Sequence, residues 1–180
     1  MPVIATWSPV DAALDILAPL GLAVAAGTAL VIDGDPSGPA VGIGPSLAEL
    51  HAEGPTRSQM EPRTAGAAFL SNGGVAVEDA ADLIRALVAR WPAVVLRCEA
   101  RGPRPEGAIG FAPLLPEPHT IRLSEPAVYQ RCRLSLGSPP HGSVLPVPSR
   151  RTVERLMAGR APLRSDRWIR SLGGVWKLHG

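Results

Sequence analysis

The chain has 180 residues, enough for one domain with a sizeable core, and 46% of them are hydrophobic although only 4% are aromatic. Seventeen arginines stand against a single lysine, Lys177, which excludes any mechanism that needs a lysine earlier in the chain. The formal net charge of +2 hides an asymmetry: residues 150–180 carry eight basic residues against two acidic ones, and the remainder ten against 14.

Two cysteines, Cys98 and Cys132, are too few and too widely spaced for a zinc motif or a disulfide framework. The amino-terminal segment lacks the positive region of a signal peptide, and its longest apolar run, Ile16 to Ala26, is too short to span a bilayer. A soluble, cytoplasmic protein with no membrane span is the expectation.

Taken in order, Pro2–Trp7 is a short apolar, β-branched run that predicts a first strand. Ser8-Pro9 then opens a helix from about Val10 to Ala26, which Pro19 and Gly21 are expected to kink or split. Gly27 stops it, and Ala29–Ile32 predicts a second, buried strand. That strand runs into an acidic loop, with Asp33, Asp35, Pro36, Gly38 and Pro39 at its exit and Gly42 beyond. In an open α/β sheet, ligands bind at such carboxyl ends of strands.

Ser46 and Glu49 form a capping-box pattern for a short helix that ends at Gly54. A polar connector over Pro55–Thr64 leads to a third strand, Gly66–Leu70, and then to a turn at Ser71-Asn72-Gly73-Gly74. Val77–Trp91 has apolar residues at helical spacing and acids before bases, so it predicts the clearest helix in the chain. Ala93–Arg97 and Ala108–Leu115 predict the fourth and fifth strands. Glu125–Arg133 reads as a short helix, Ser143–Val147 as a sixth strand and Ser149–Ala158 as a helix. A last amphipathic segment holds Trp168, Ile169, Leu172, Val175 and Trp176.

Near-continuously apolar strands alternating with helices predict a three-layer α/β fold, with a mostly parallel sheet covered on both faces. Residues 1–149 would form the α/β core, and the basic helical segment 150–180 would complete the same domain.

Asp33-Gly34-Asp35-Pro36-Ser37-Gly38 resembles D-x-D-P-Q-G, the second-strand motif of the MinD/ParA-like P-loop ATPases. Residues 78–96 look like the segment that leads to that family's next acidic motif. Leu145–Ser149 with Arg151–Pro162 is similar to its late strand-loop-helix, where a proline-containing loop lies beside the nucleotide base. Relatives of the Tad/Flp pilus (TadZ or CpaE) type and septum-site-like proteins are nearest in character. The resemblance implies that Asp33 and Asp35 correspond to aspartates that help with Mg²⁺ and the attacking water.

The departures from that pattern are chemical. A phosphate-binding loop needs glycine N–H groups, a lysine and a Ser/Thr hydroxyl. The corresponding stretch, Trp7-Ser8-Pro9-Val10-Asp11-Ala12-Ala13, has neither glycine nor lysine, and it carries Pro9 and Asp11. Arg97-Cys98 stands where the next acidic motif should follow the fourth strand. Conventional ATP hydrolysis is therefore not expected, and Asp33 and Asp35 are expected to cap the loop and keep the strand end solvated.

His51, His119, His141 and His179 are scattered, no metal-ligand spacing occurs, and no cofactor is expected. Ser71–Gly74 could cradle an anion or simply turn the chain. Cys98 reads as a small buried residue. Arg151, Arg155, Arg164, Arg167 and Arg170, interleaved with Trp168 and Trp176, offer contacts to phosphate or to an acidic partner.

The expected function is a non-enzymatic, non-hydrolysing MinD/ParA-like interaction module, with a protein partner that is either another copy or an ATPase of pilus, secretion or cell-positioning machinery. The alternative is a nucleic-acid-binding accessory protein that uses the basic C-terminal segment.

Overall fold

A computed structural model describes residues 2–10, 12–38, 44–62, 65–123, 126–135, 137–139 and 141–179. Seven strands form one sheet: β1 (Val3–Trp7), β2 (Ala29–Asp33), β3 (Ala67–Leu70), β4 (Val94–Arg97), β5 (Ile109–Leu114), β6 (Ala127–Arg131) and β7 (Ser143–Leu145). Their spatial order is β3-β2-β4-β1-β5-β6-β7, and every pairing is parallel. Helices cover both faces, so the fold is the predicted three-layer α/β architecture.

Alternation along the strands assigns each helix to a face. Ala29, Val31 and Val95 join one core with α1 (Ala12–Ala26), α5 (Arg150–Met157) and α6 (Arg167–His179). Leu30, Ile32 and Val94 join the opposite core with α2 (Leu47–Glu53), α3 (Arg57–Met60) and α4 (Ala81–Val88). All five residues of β2 are buried, as a central parallel strand requires.

The register of β4 against both neighbours positions the site. Thr6 on β1 and Asp33 on β2 each lie opposite Arg97 on β4. Thus β1, β2 and β4 all exit at one level of the sheet.

Four segments differ from the sequence reading. The helix expected to break at Pro19 and Gly21 runs unbroken from Ala12 to Ala26. Proline costs a helix interior about 3 kcal/mol, but α1 is buried between the sheet and α6. Gly21 contributes by leaving room for α6: a Cβ there would sit 2.6 Å from Trp168 Cη2 and 2.5 Å from Leu172 Cδ1.

Val77–Trp91 contracts to Ala81–Val88, because residues 77–80 form a turn and Ala80 offers no capping side chain. The polar connector contains α3, whose Thr56 N–H is bonded by the Gln59 side chain at 2.7 Å. The short helix expected up to Arg133 is instead β6, inserted between β5 and β7. Val128 and Tyr129 suit a strand, and both are fully buried.

The last helix docks as its apolar spacing predicts. Trp168, Ile169, Leu172 and Val175 are buried. Trp168 Nε1 donates to Gln130 Oε1 at 2.6 Å, and Trp176 Nε1 donates to the Leu22 carbonyl at 2.8 Å. Among the described residues no helix is long and apolar enough to cross a membrane.

Candidate functional site

The carboxyl ends of β1, β2 and β4 converge on one buried guanidinium. Arg97, the last residue of β4, is 5% exposed and points into a ring of three carboxylates. Its Nε donates to Asp15 Oδ2 at 2.8 Å, and its Nη2 lies 2.6 Å from the same oxygen. Nη1 donates to Asp33 Oδ1 at 2.7 Å, and Nη2 also donates to Asp35 Oδ2 at 3.0 Å. Helix α1 supplies Asp15 from its first turn, β2 supplies Asp33, and the following loop supplies Asp35.

Backbone bonds fix the strand exits around this cluster. Gly34 N–H donates to the Arg97 carbonyl at 2.8 Å, and Cys98 N–H donates to the Thr6 carbonyl at 2.7 Å. Asn72 Nδ2 holds the Asp33 carbonyl at 3.2 Å. The loop after β2 winds on its own aspartates, with Asp35 N–H on Asp33 Oδ1 at 3.0 Å and Ser37 N–H on Asp35 Oδ1 at 2.9 Å. This is the Asx-turn chemistry expected of Asp-rich loops.

Gly38 lets that loop close onto the cluster, since a Cβ there would meet Arg97 Nη1 at 2.5 Å and Asp33 Oδ2 at 2.6 Å. Pro36 is exposed on the outside of the same turn. Asp11, Pro39 and Gly42 lie outside the described residues.

The electrostatics follow from three carboxylates sharing one cation. Burial raises the Asp15 and Asp33 carboxyls above their ordinary 3.8, and attraction to Arg97 offsets this only in part. Burial alone would lower the Arg97 pKa, but Asp33 and Asp15 together hold it above the usual arginine value. The guanidinium is thus firmly charged, and Asp15 and Asp33 retain protons more readily than free carboxyls. Ser8 Oγ and Asp33 Oδ2 are buried without a hydrogen-bond partner among the described residues.

This arrangement corrects one expectation about the acidic motif. Asp33 does not keep the strand end solvated: it is 0% exposed and ion-paired. The sequence reading also missed Asp15, hidden in an apolar helix, and the role of Arg97. The signal available for Arg97 was a lone basic residue ending an otherwise apolar strand, at the level where Asp33 ends its neighbour.

Other candidates fall elsewhere. Asn72 Oδ1 accepts both Gly74 and Val75 N–H at 2.8 Å, so the Ser71–Gly74 segment is a turn closed by the Asn72 side chain. His141 Nε2 lies 2.7 Å from the Leu123 carbonyl, and its ring stands edge-on to Tyr129. Burial pushes the Cys98 thiol up to about 11. No group of His, Cys, Asp or Glu among the described residues is arranged to hold a metal ion.

The C-terminal arginines do not join this site. Arg155 Nε bonds the Ala161 carbonyl at 3.1 Å, Arg164 lies against Gly27, and Arg151, Arg167 and Arg170 are exposed. Chemically, the strand ends thus present a closed salt-bridge cluster whose one cation is the protein's own. No protein-family model matches the chain, and no curated protein matches it significantly.

Proposed function

We propose that the chain is a non-hydrolysing interaction module of MinD/ParA-like type, in which the carboxyl ends of the central strands serve as architecture and not as a nucleotide site. The observation that carries this reading is Arg97 itself. Its guanidinium occupies the space between Asp15, Asp33 and Asp35 with bonds of 2.6–3.0 Å, and so fills from within the position that a bound cation would otherwise take. The approach from β1 supports it: Pro9 has no N–H to offer, and Ser8 is buried. Partners are then recognised by surface shape and charge, and the plausible classes are another copy of the chain or an ATPase of the same machinery.

The test is a thermal melt with ATP, ADP and GTP, each with Mg²⁺ at millimolar concentration, alongside an assay of phosphate release. A ligand at 100 times its Kd would add about 2.7 kcal/mol, an easily read rise in melting temperature. The reading expects no shift and no release. A saturable shift with any of the three would overturn it.

A further inference from the structure

Two ends of the sheet each carry a hollow, and different charged side chains line them. At the amino-terminal ends of β1, β2 and β4, a hollow of about 880 Å³ is walled by Pro2, Pro92 and Trp176 and rimmed by Arg164 and Lys177. A neighbouring hollow of about 400 Å³ shares those two cations and adds Arg170. Among the described residues no carboxylate lines either one. All three cations are exposed, and none makes an ion pair among the described residues.

Apolar groups accompany these charges. Leu163 and Leu178, the chain neighbours of Arg164 and Lys177, are 72% and 69% exposed. On α6, Arg170, Gly173, Gly174 and Lys177 recur at the spacing of one helix face. A Cβ at either glycine would meet nothing within 4 Å, so the fold itself does not require them, and bare backbone faces whatever approaches.

A hollow at the opposite end carries exposed carboxylates. At the carboxyl ends of β2 and β4, a hollow of about 380 Å³ has apolar walls from Val77, Leu96 and Pro103 and carries Glu78 and Glu99. Both carboxylates are exposed and without an ion pair among the described residues, and Asp79 stands beside them. Arg104 also lines this hollow but is engaged: its guanidinium stacks 3.9 Å above the Trp7 ring and donates to the Ala100 carbonyl at 3.0 Å. Behind it lies the Arg97 cluster, with three carboxylates to one cation.

We infer that the partner of these two surfaces is a second copy of this chain, associating end to end. The Arg164, Arg170 and Lys177 end of one copy seats on the Glu78, Asp79 and Glu99 end of the next, with Leu163 or Leu178 entering the apolar-walled hollow. The two patches lie on opposite ends of the molecule, so the contact is head-to-tail and propagates into chains of copies instead of closing as a two-fold dimer. This inference rests on the reading of the protein as an interaction module, and it names the partner.

Sedimentation velocity of the full chain over a concentration series, at ~20 mM and ~500 mM salt, tests it. Species heavier than a dimer should grow with concentration at low salt and disappear at high salt. The triple variants Arg164→Glu/Arg170→Glu/Lys177→Glu and Glu78→Arg/Asp79→Arg/Glu99→Arg should each weaken association by ~100-fold or more. An equimolar mixture of the two should associate again, because each reversed end then meets its complement; that recovery also shows that both variants are folded. A wild-type chain that stays monomeric at low salt, association indifferent to either reversal, or monomers that bind a DNA duplex through the same three cations would each overturn the inference. Nucleotide binding would sink the module reading separately, whatever the sedimentation result.

Discussion

Arg97 Nη1 donates to Asp33 Oδ1 at 2.7 Å across two adjacent parallel strands, and both side chains are almost wholly buried. In a site that bound a cation, the positive charge facing Asp33 would come from outside. Here β4 supplies it, and Asp15 and Asp35 complete the ring.

The first consequence concerns stability. Arg97→Met removes the cation that three buried or half-buried carboxylates share. Leaving buried charges without their partner costs about 3–5 kcal/mol. Urea unfolding should report a loss of that size, and adding Asp33→Asn to Arg97→Met should recover part of it. A loss below about 1 kcal/mol, the scale of an exposed pair, would mean that the cluster is solvated.

The second concerns pH. Asp15 and Asp33 titrate above 3.8 in the fold because burial outweighs the pull of Arg97. The folded chain therefore binds these protons more tightly than the unfolded chain does. Their contribution to stability is fully present below the ordinary carboxyl value and is lost as pH rises through the raised folded values. Unfolding free energy measured from pH 4 upward should fall through that window, and the fall should be smaller in Asp33→Asn. An equal slope in both proteins would remove Asp33 as its source.

Two glycines on facing helices should respond in opposite directions. At Gly21 a Cβ would press on Trp168 and Leu172, and overpacking of this kind costs about 1–3 kcal/mol. At Gly173, which is half-buried, a Cβ meets nothing within 4 Å, and replacing a helix glycine with alanine gains about 1 kcal/mol. Melting temperatures of Gly21→Ala and Gly173→Ala should therefore move down and up. The same sign for both would contradict the docking of α6 on α1.

The thiols should separate cleanly. Cys98 is buried and its pKa is raised to about 11 by loss of solvent, whereas Cys132 is half-buried and its thiol is lowered by the Ser135 hydroxyl. Thiolate is the reactive form. Labelling of the native protein with a disulfide reagent should modify Cys132 alone, with Cys98 reacting only after denaturation. Fast modification of Cys98 would show that β4 is more open than described.

The legible parts of the sequence were those fixed by local pattern. Ala29–Ile32 reads as a buried strand because every residue is apolar, and Ser46 with Glu49 reads as a helix start because the capping box is purely local. Glu125–Arg133 misread because Val128 and Tyr129 are committed to a strand by β5 and β7, which the local sequence does not reveal. Pro19 misread because burial between the sheet and α6 outweighs its local cost. The acidic half of the site was legible at Asp33 and Asp35. The Arg97–Asp15 pair was not, because those two residues stand 82 residues apart in the chain and meet only through the parallel register of β1, β2 and β4.

Arg97 fills the space between the three carboxylates, and its own side chain reports whether that space stays closed. In an NMR spectrum of arginine-labelled protein, the Arg97 Nε–H bonded to Asp15 should appear as a slowly exchanging signal, absent in Arg97→Met. Millimolar ATP with Mg²⁺ should leave this signal unmoved. A saturable shift of the signal, or its loss to rapid solvent exchange as nucleotide is added, would contradict it.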